Sequence, residues 1–344
     1  MGAAVRSFRR RIGLPVAARL ASLACLVLGS PAAASSIIAF DPSGSVATYP
    51  YAINSSGAVS GYYTDGAGVA RGFVRAHSGK ISSFSVSGST GTIADGIDDD
   101  GTIAGQYADS KGIFHGFVRT NTGQITTFSI PRATGTYPAG INDNGTTTGY
   151  YADANVIAHG FVRAASGKLA VFNVSGAAGT YPFAISDNGV IAGSYAVQGV
   201  SHGFMRTAHR AITTYDPTGS IDTEPLAVNS SGIVAGYYVF PSGSGNVANG
   251  FVRATDGTIT NFYVSGADDT YAQDLNDNGI VTGTYYDSSM EPHGYYGPAP
   301  AGPFTSFDPN GSTATFPFGI NASGAITGYW YDSNNKVHGF VLNP

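Results

Sequence analysis

Cysteine, tryptophan and charge are all scarce in this chain of 344 residues: it has one Cys, one Trp and only 11% charged residues. The one cysteine, Cys25, falls in an N-terminal stretch read below as a removable leader, so neither a disulfide nor a thiolate metal site can form within the remainder. Basic residues are fewer than acidic ones, 17 against 22, and five arginines lie ahead of Ser35. Beyond that point 12 basic residues face 22 acidic ones, a net charge of −10. Such a surface lacks the basic footprint that nucleic-acid phosphates require, so nucleic acid is excluded as a partner. No apolar run of ~20 residues follows the leader, so no membrane span is expected and the mature chain should be soluble. The H-E-x-x-H and P-loop signatures are absent too, and with them the common routes to a zinc peptidase or a nucleotide-binding enzyme.

The leader is recognised by its order of parts. Arg6, Arg9, Arg10 and Arg11 form a basic start, Leu20 to Leu28 an apolar run, and Ala32, Ala33 and Ala34 a small-residue cleavage pattern. These are the features of a secretory signal peptide, so residues 1–34 are expected to be removed and residues 35–344 to form a secreted or periplasmic domain. Phe8 stands before the paired arginines and the Phe expected after them is absent, which leaves only a weak likeness to a twin-arginine signal. Apolar residues continue beyond Cys25, which fits the core of a signal rather than a lipidation site.

What the chain has in abundance is repetition. INSSGAVSGYY, from Ile53 to Tyr63, returns as IDDDGTIAGQY, INDNGTTTGYY, ISDNGVIAGSY, VNSSGIVAGYY, LNDNGIVTGTY and INASGAITGYW. Aromatics that close the units recur at Phe40, Phe84, Phe128, Phe172, Tyr215, Phe262 and Phe307, at intervals of 44, 44, 44, 43, 47 and 45 residues. A period near 44 with strand-like content and no helical pattern points to an all-β fold, a seven-bladed β-propeller of four-stranded antiparallel blades. After Phe307 only 37 residues remain, enough for three strands. Ser35 to Phe40 would supply the fourth, so the ring is expected to be closed by its N-terminal strand, leaving no open sheet edge.

Within unit one, Thr48 to Ile53 reads as the inner strand, Ala58 to Thr64 as the second, Ala70 to Ala76 as the third and Lys80 to Val86 as the outer one. The Asn-x-x-Gly segments (Asn54 to Gly57, and its repeats) fit tight hairpin loops with Gly in the left-handed region. Small residues recur on the inner strand at Ala52, Gly96, Gly140, Ala184, Ala227 and Gly319, where converging blades leave little room; unit six departs from this with Asp274.

These repeats resemble the secreted bacterial HAF-repeat proteins, whose units combine an AIN-x-x-G turn, a G-Y step and a His-x-Phe strand. The resemblance covers Ile37 to Pro344. The tripeptide here reads HGF at His115, His159, His202 and His338, HGY at His293, RGF at Arg71 and NGF at Asn249. The resemblance implies export and a repeat fold, and it supplies no catalytic residue to carry over.

Asp109/His115, Asp153/His159, Asp287/His293 and Asp332/His338 are each six residues apart across the hairpin between the second and third strands. Unit one has Asp65/Arg71 there, which keeps opposite charges and abandons metal ligation, so the pairs are read as structural. Arg75, Arg119, Arg163, Arg206 and Arg253 end the third strands and are expected to make strand-end or inter-blade salt bridges. The DDDG and NDNG turns lack the upstream acid and the bidentate Glu of a calcium loop. No metal or cofactor is assigned.

Function is sought where the repeat breaks. The loops entering the inner strands carry Tyr49, Tyr137, Tyr181, Tyr271 and Phe316, which would ring one mouth of a central channel. Units five and six add the acids Asp222, Glu224, Asp268 and Asp269, with Asp274 in the inner strand. Aromatics beside carboxylates suit sugar stacking and hydroxyl bonding. The expected site is therefore Tyr49, Tyr137, Tyr181, Glu224, Tyr271, Asp274 and Phe316; otherwise the tyrosines pack between blades and the acids are solvated. Three functions fit: a non-catalytic platform for a glycan or cell-surface protein, a carbohydrate-active hydrolase or lyase, and a structural surface component. The first is preferred because no pair of catalytic acids stands out.

Overall fold

The computed structural model describes residues 36–344 other than residue 244, so the leader segment lies outside the described residues. The described residues belong to one compact unit, Ser35–Pro344, and contain strands and turns but no helix. Five of the repeats are separate four-stranded antiparallel sheets whose spatial order follows the chain. In unit two the strands are Gly91–Ile97, Ile103–Ala108, Phe114–Arg119 and Ile125–Phe128. The expected strands of unit one are found with small shifts at Ser45–Ile53, Val59–Asp65, Ala70–Arg75 and Ile81–Phe84.

The first and last repeats share one eight-stranded sheet, which the period alone does not foretell. The last repeat contributes Ser312–Ile320, Ile326–Asp332 and Val337–Asn343, and the N-terminal strand Ser36–Phe40 pairs antiparallel with the third of these, from Ser36 opposite Asn343 to Phe40 opposite Gly339. A single parallel bridge, Ala47 opposite Val337, joins this quartet to unit one and makes the sheet mixed.

Two glycine positions explain why the motif is written as it is. In the HGF step a Cβ on Gly72 would lie 2.6 Å from the ring of Phe84, and one on Gly339 would lie 2.9 Å from the ring of Phe40. The closing aromatic of the outer strand therefore lies flat across the third strand, and only glycine leaves room for it. In the Asn-x-x-Gly turn, Gly57 has φ of 77° and Gly324 of 87°, the left-handed region that the hairpin requires.

The asparagine of that turn serves two neighbours at once. Asn54 Oδ1 accepts the Ala58 amide at 2.9 Å, closing its own loop, while Nδ2 donates to the Asp98 carbonyl of the next unit at 2.9 Å. Asn142 reaches Ser186 in the same way at 2.8 Å, Asn276 reaches Asn321 at 3.0 Å, and Asn321 reaches Asn54 at 2.9 Å. Between the sheets lie the fully buried rings Phe73, Phe117, Phe161, Phe204, Phe251, Tyr295 and Phe340. Closing aromatics pack edge-on to the ring of the following unit, as Phe84 does to Phe117 at 5.9 Å and Phe40 to Phe73 at 5.9 Å. Burying such rings, at about 25 cal/mol per Å² of apolar area, is the main source of stability for a chain with no cross-links.

Candidate functional site

Inner strands from all seven repeats converge on one opening. A cavity of about 190 Å³ is lined at the Asn-x-x-Gly end by residues of every unit, from Asn54 and Ser55 to Asn321 and Ala322. Its rim carries Asp99, Asp143, Asp187 and Asp277. These acids are used structurally: Asp99 accepts the Ser55 amide at 2.7 Å, Asp143 that of Asp99 at 2.8 Å, Asp187 that of Asp143 at 2.9 Å, and Asp277 that of Ser230 at 2.7 Å.

The expected aromatic residues occupy one equivalent position near the other end of the inner strands. Tyr49 pairs with Tyr62, Tyr137 with Tyr150, Tyr181 with Ser194, Glu224 with Tyr237, Tyr271 with Thr284 and Phe316 with Tyr329 across the inner and second strands. All six are half-buried. Each tyrosine wedges between units. Tyr49 stacks on Tyr62 at 4.8 Å and meets Tyr329 of the last unit edge-on at 5.2 Å. Tyr137 stacks on Tyr150 at 4.9 Å, and Tyr150 meets Tyr181 at 5.3 Å. Tyr271 meets Tyr237 of unit five at 4.8 Å, and Phe316 packs on Tyr329 at 5.2 Å.

Around units five and six the carboxylates join this aromatic layer. Burial pushes Glu224 up to about 7, against hydrogen bonds from Ser201 and Ser194 of unit four that favour its ionised form. Burial, with Glu224, Asp222 and Tyr271 nearby, raises the Tyr237 hydroxyl far above its usual range. Tyr271 is hydrogen-bonded to Asp269 and raised likewise, burial being the first cause. Asp222 and Asp269 also staple the units, accepting the amides of Ser201 at 3.2 Å and Ala248 at 2.7 Å. Glu224, Tyr237 and Tyr271 thus form one cluster.

Asp274 is not part of it. It lies beyond a bulge in the same strand, at the position of the small inner-strand residues, and binds the backbone amides of Leu275 and Ile320, both at 2.8 Å. Burial lifts it to about 6, and the two amides oppose that shift.

The bulge position itself, which the spacing of the repeats does not mark, holds Tyr51, Asp95, Ala139, Phe183, Leu226, Gln273 and Phe318. Asp95 is the exceptional member. Gln106 donates to its Oδ1 at 3.4 Å, while Oδ2 is buried without a partner, and burial holds its pKa well above the carboxylate range. The available signal was variety, since six residue types occupy this position in seven repeats.

The Asp/His pairs lie where the spacing puts them. Asp109 and His115 are 3.3 Å apart, as are Asp153 and His159, and Arg71 is 2.6 Å from Asp65. The other ring nitrogen is held from the outer strand, His115 by Ser129 at 2.8 Å and His338 by Asp41 at 2.7 Å.

No family model matches this chain, and no curated protein sequence matches it. Solved structures do. The chain is similar to a streptogramin B lyase at 15% identity, with a TM-score of 0.58 over 90% of this chain and 98% of that one. It is similar to a selenomethionine-substituted virginiamycin B lyase from Staphylococcus aureus at 14% identity, with a TM-score of 0.61 over 89% and 99%. The β-propeller domain of the Trilobed protease from Pyrococcus furiosus, described as having an open velcro topology, matches at 10% identity with a TM-score of 0.61 over 86% and 95%. These likenesses establish the fold: the chain is a β-propeller with repeated four-stranded blades. Among the described residues no helix is long and apolar enough to cross a membrane.

Proposed function

We propose that this protein is an exported, non-catalytic seven-bladed propeller that binds a glycan at the aromatic end of its central opening. Ring closure by the N-terminal strand is part of the proposal. Its support is that Ser36–Phe40 pairs with the last repeat, that Phe40 covers Gly339, and that Asn321 reaches Asn54. Export and kinship with the HAF-repeat proteins rest on the leader pattern and the repeat wording.

One observation carries the binding reading: Glu224, Tyr237 and Tyr271 put a carboxyl near its half-ionised state at pH 7 beside two aromatic faces, and Glu224 is the one acid at a position that is aromatic in five of the other six repeats. Aromatic faces stack on the apolar side of a sugar ring and the carboxyl accepts its hydroxyls. The raised Glu224 also favours the alternative, a carbohydrate-active hydrolase or lyase, because a general acid needs a pKa near working pH. Asp274 is the weaker second acid, since two backbone amides already hold it. Binding of the chain lacking residues 1–34 to a glycan array, followed by turnover assays on each hit, tests both. Saturable binding without turnover supports the platform; turnover lost in Glu224→Gln supports the enzyme; no glycan bound overturns both.

A further inference from the structure

Unit six carries, in the hairpin between its second and third strands, a set of side chains that the other units do not share. His293 Nδ1 lies 2.7 Å from Asp308 Oδ2, and Nε2 faces Asp287 Oδ2 at 3.5 Å. Glu291 adds a third acid, and one ligand atom each from Asp287, Glu291 and His293 lies within 4.8 Å of the other two.

Unit seven is the internal comparison. His338 has the same two neighbours, Asp41 at 2.7 Å and Asp332 at 3.6 Å. The residue corresponding to Glu291, four after the aspartate in each case, is Lys336, and its ammonium is 3.5 Å from Asp41. The lysine thus sets a positive charge beside Asp41. In unit six a carboxylate takes its place, so three acids surround one imidazole, and even a protonated ring cannot balance them. In units two and three the corresponding residues are Ile113 and Ile157, which offer no ligand.

We propose that Asp287, Glu291 and His293 bind a divalent metal ion, with zinc fitting the donor set best. One imidazole and two carboxylates with an open fourth position for water form a donor set of the kind found in zinc sites. Two ligands each about 2.0–2.1 Å from a tetrahedral ion lie roughly 3.3–3.4 Å apart, close to the 3.5 Å between His293 Nε2 and Asp287 Oδ2. Asp308 completes the arrangement: by accepting Nδ1–H it leaves the Nε2 lone pair directed at the ion, as carboxylate partners of metal-bound histidines do.

The test is calorimetric titration of zinc into the untagged chain lacking residues 1–34, with cobalt absorption as a second readout of coordination. One equivalent of zinc is expected to bind. Glu291→Val, which installs the residue that unit one has as Val69, should lower the affinity at least tenfold with an unchanged circular dichroism spectrum. Asp308→Asn should lower it about tenfold through the ring orientation. Lys336→Glu should raise the stoichiometry to two. Absence of saturable zinc binding would overturn the proposal, as would binding that Glu291→Val leaves unchanged.

Discussion

Arg75 lies over the ring of Phe40, its guanidinium carbon 5.0 Å from the ring centroid. Phe40 belongs to the strand that pairs with the last repeat and Arg75 ends the third strand of unit one, so this contact ties the last repeat to the first within their shared sheet. The same relation recurs in units two to five, each to the unit before: Arg119 over Phe84 at 4.7 Å, Arg163 over Phe128 at 5.0 Å, Arg206 over Phe172 at 4.7 Å and Arg253 over Tyr215 at 4.9 Å. Salt bridges were expected of these arginines, and aromatic rings take the place of the carboxylates. A guanidinium is planar and weakly hydrated, so it can be buried against a ring face where an ammonium would lose too much solvation. Burial still costs something, and it depresses the Arg75 and Arg163 guanidinium pKa.

Phe40→Ala should therefore weaken the junction between the two ends of the chain more than an ordinary surface truncation. It removes the Arg75 contact, the edge-on contact with Phe73 and the cover over Gly339. The expected cost is about 3 kcal/mol, the low end for a packed Phe, because the ring is half-buried. Deletion of residues 36–40 should cost more and promote aggregation by baring the edge of Val337–Asn343. Urea melts of the three proteins measure this; unchanged midpoints would sink the ring-closure proposal.

Gly160→Ala tests the reason for glycine in the HGF step. A Cβ there would fall 2.7 Å from Cζ of Phe172. Either the ring or the strand must shift, at about 1–3 kcal/mol. Phe172→Leu in the same background should recover part of the loss, and an additive double mutant in chemical denaturation would refute the steric account.

Asp98 stands where most units have the turn asparagine, and burial raises its pKa to about 6. Its folded-state pKa exceeds the unfolded value near 4, so the folded chain binds the proton more tightly. The stability owed to protonation is present at low pH and is lost as pH rises from about 4 to about 6. Asp98→Asn removes that slope and restores an amide donor to the turn. It should stabilise the protein at pH 7 by about 1 kcal/mol, discounting for the partial solvation of the turn. Melting curves at pH 4 and pH 7 check this: the gain should appear at the higher pH and shrink at the lower.

Much of this architecture was legible because each repeat is a full statement of its own hairpins. Asn54 and Gly57 announce a turn whatever surrounds them, and the Asp153/His159 spacing places both side chains across one hairpin. The contacts between units were harder to read. Nothing in the spacing of Arg119 and Phe84, 35 residues apart, says that one lies on the other, since that depends on how neighbouring sheets face each other. The site shows the same division. Tyr271 was read as one of the recurring aromatics and Glu224 as an acid that breaks the repeat, and the two do meet through Tyr237, whereas Asp274, the other such acid, is carried away by the bulge after Ala272. Asp95 was missed because the bulge that inserts its residue between Ala94 and Gly96 is not visible in the alternation of the strand.

His159→Asn probes how much one Asp/His pair contributes. His159 is 3.3 Å from Asp153, 2.9 Å from Asn173, and stacked on Tyr151 at 5.0 Å. Unit five has Asn249 at this position and keeps the same pairing of second and third strands. The cost should be about 1 kcal/mol or less, as for one partly exposed hydrogen-bonded pair. A loss of several kcal/mol in thermal or urea unfolding would mean that the pairs carry the blades.

Tyr271→Ala and Glu224→Gln together test the binding site. Tyr271 lies between Tyr237 and Tyr286, at 4.8 and 5.8 Å, and its hydroxyl is tied to Asp269, so its ring is pre-positioned rather than free to swing. A ligand stacking there should lose about 1–3 kcal/mol of affinity on truncation to alanine, as for a well-buried interface aromatic. Glu224 supplies the pH signature. With its pKa near 7, it accepts hydroxyl hydrogen bonds fully only when ionised, so affinity should rise as pH increases from 6 to 8. Glu224→Gln should flatten that rise while leaving the Tyr271 effect in place, because the two act on different parts of the ligand. Affinities measured for an array-identified glycan at pH 6 and pH 8 decide the matter. If both variants bind like the parent at both values, the ligand sits elsewhere, and the Asn-x-x-Gly end of the opening becomes the surface to map.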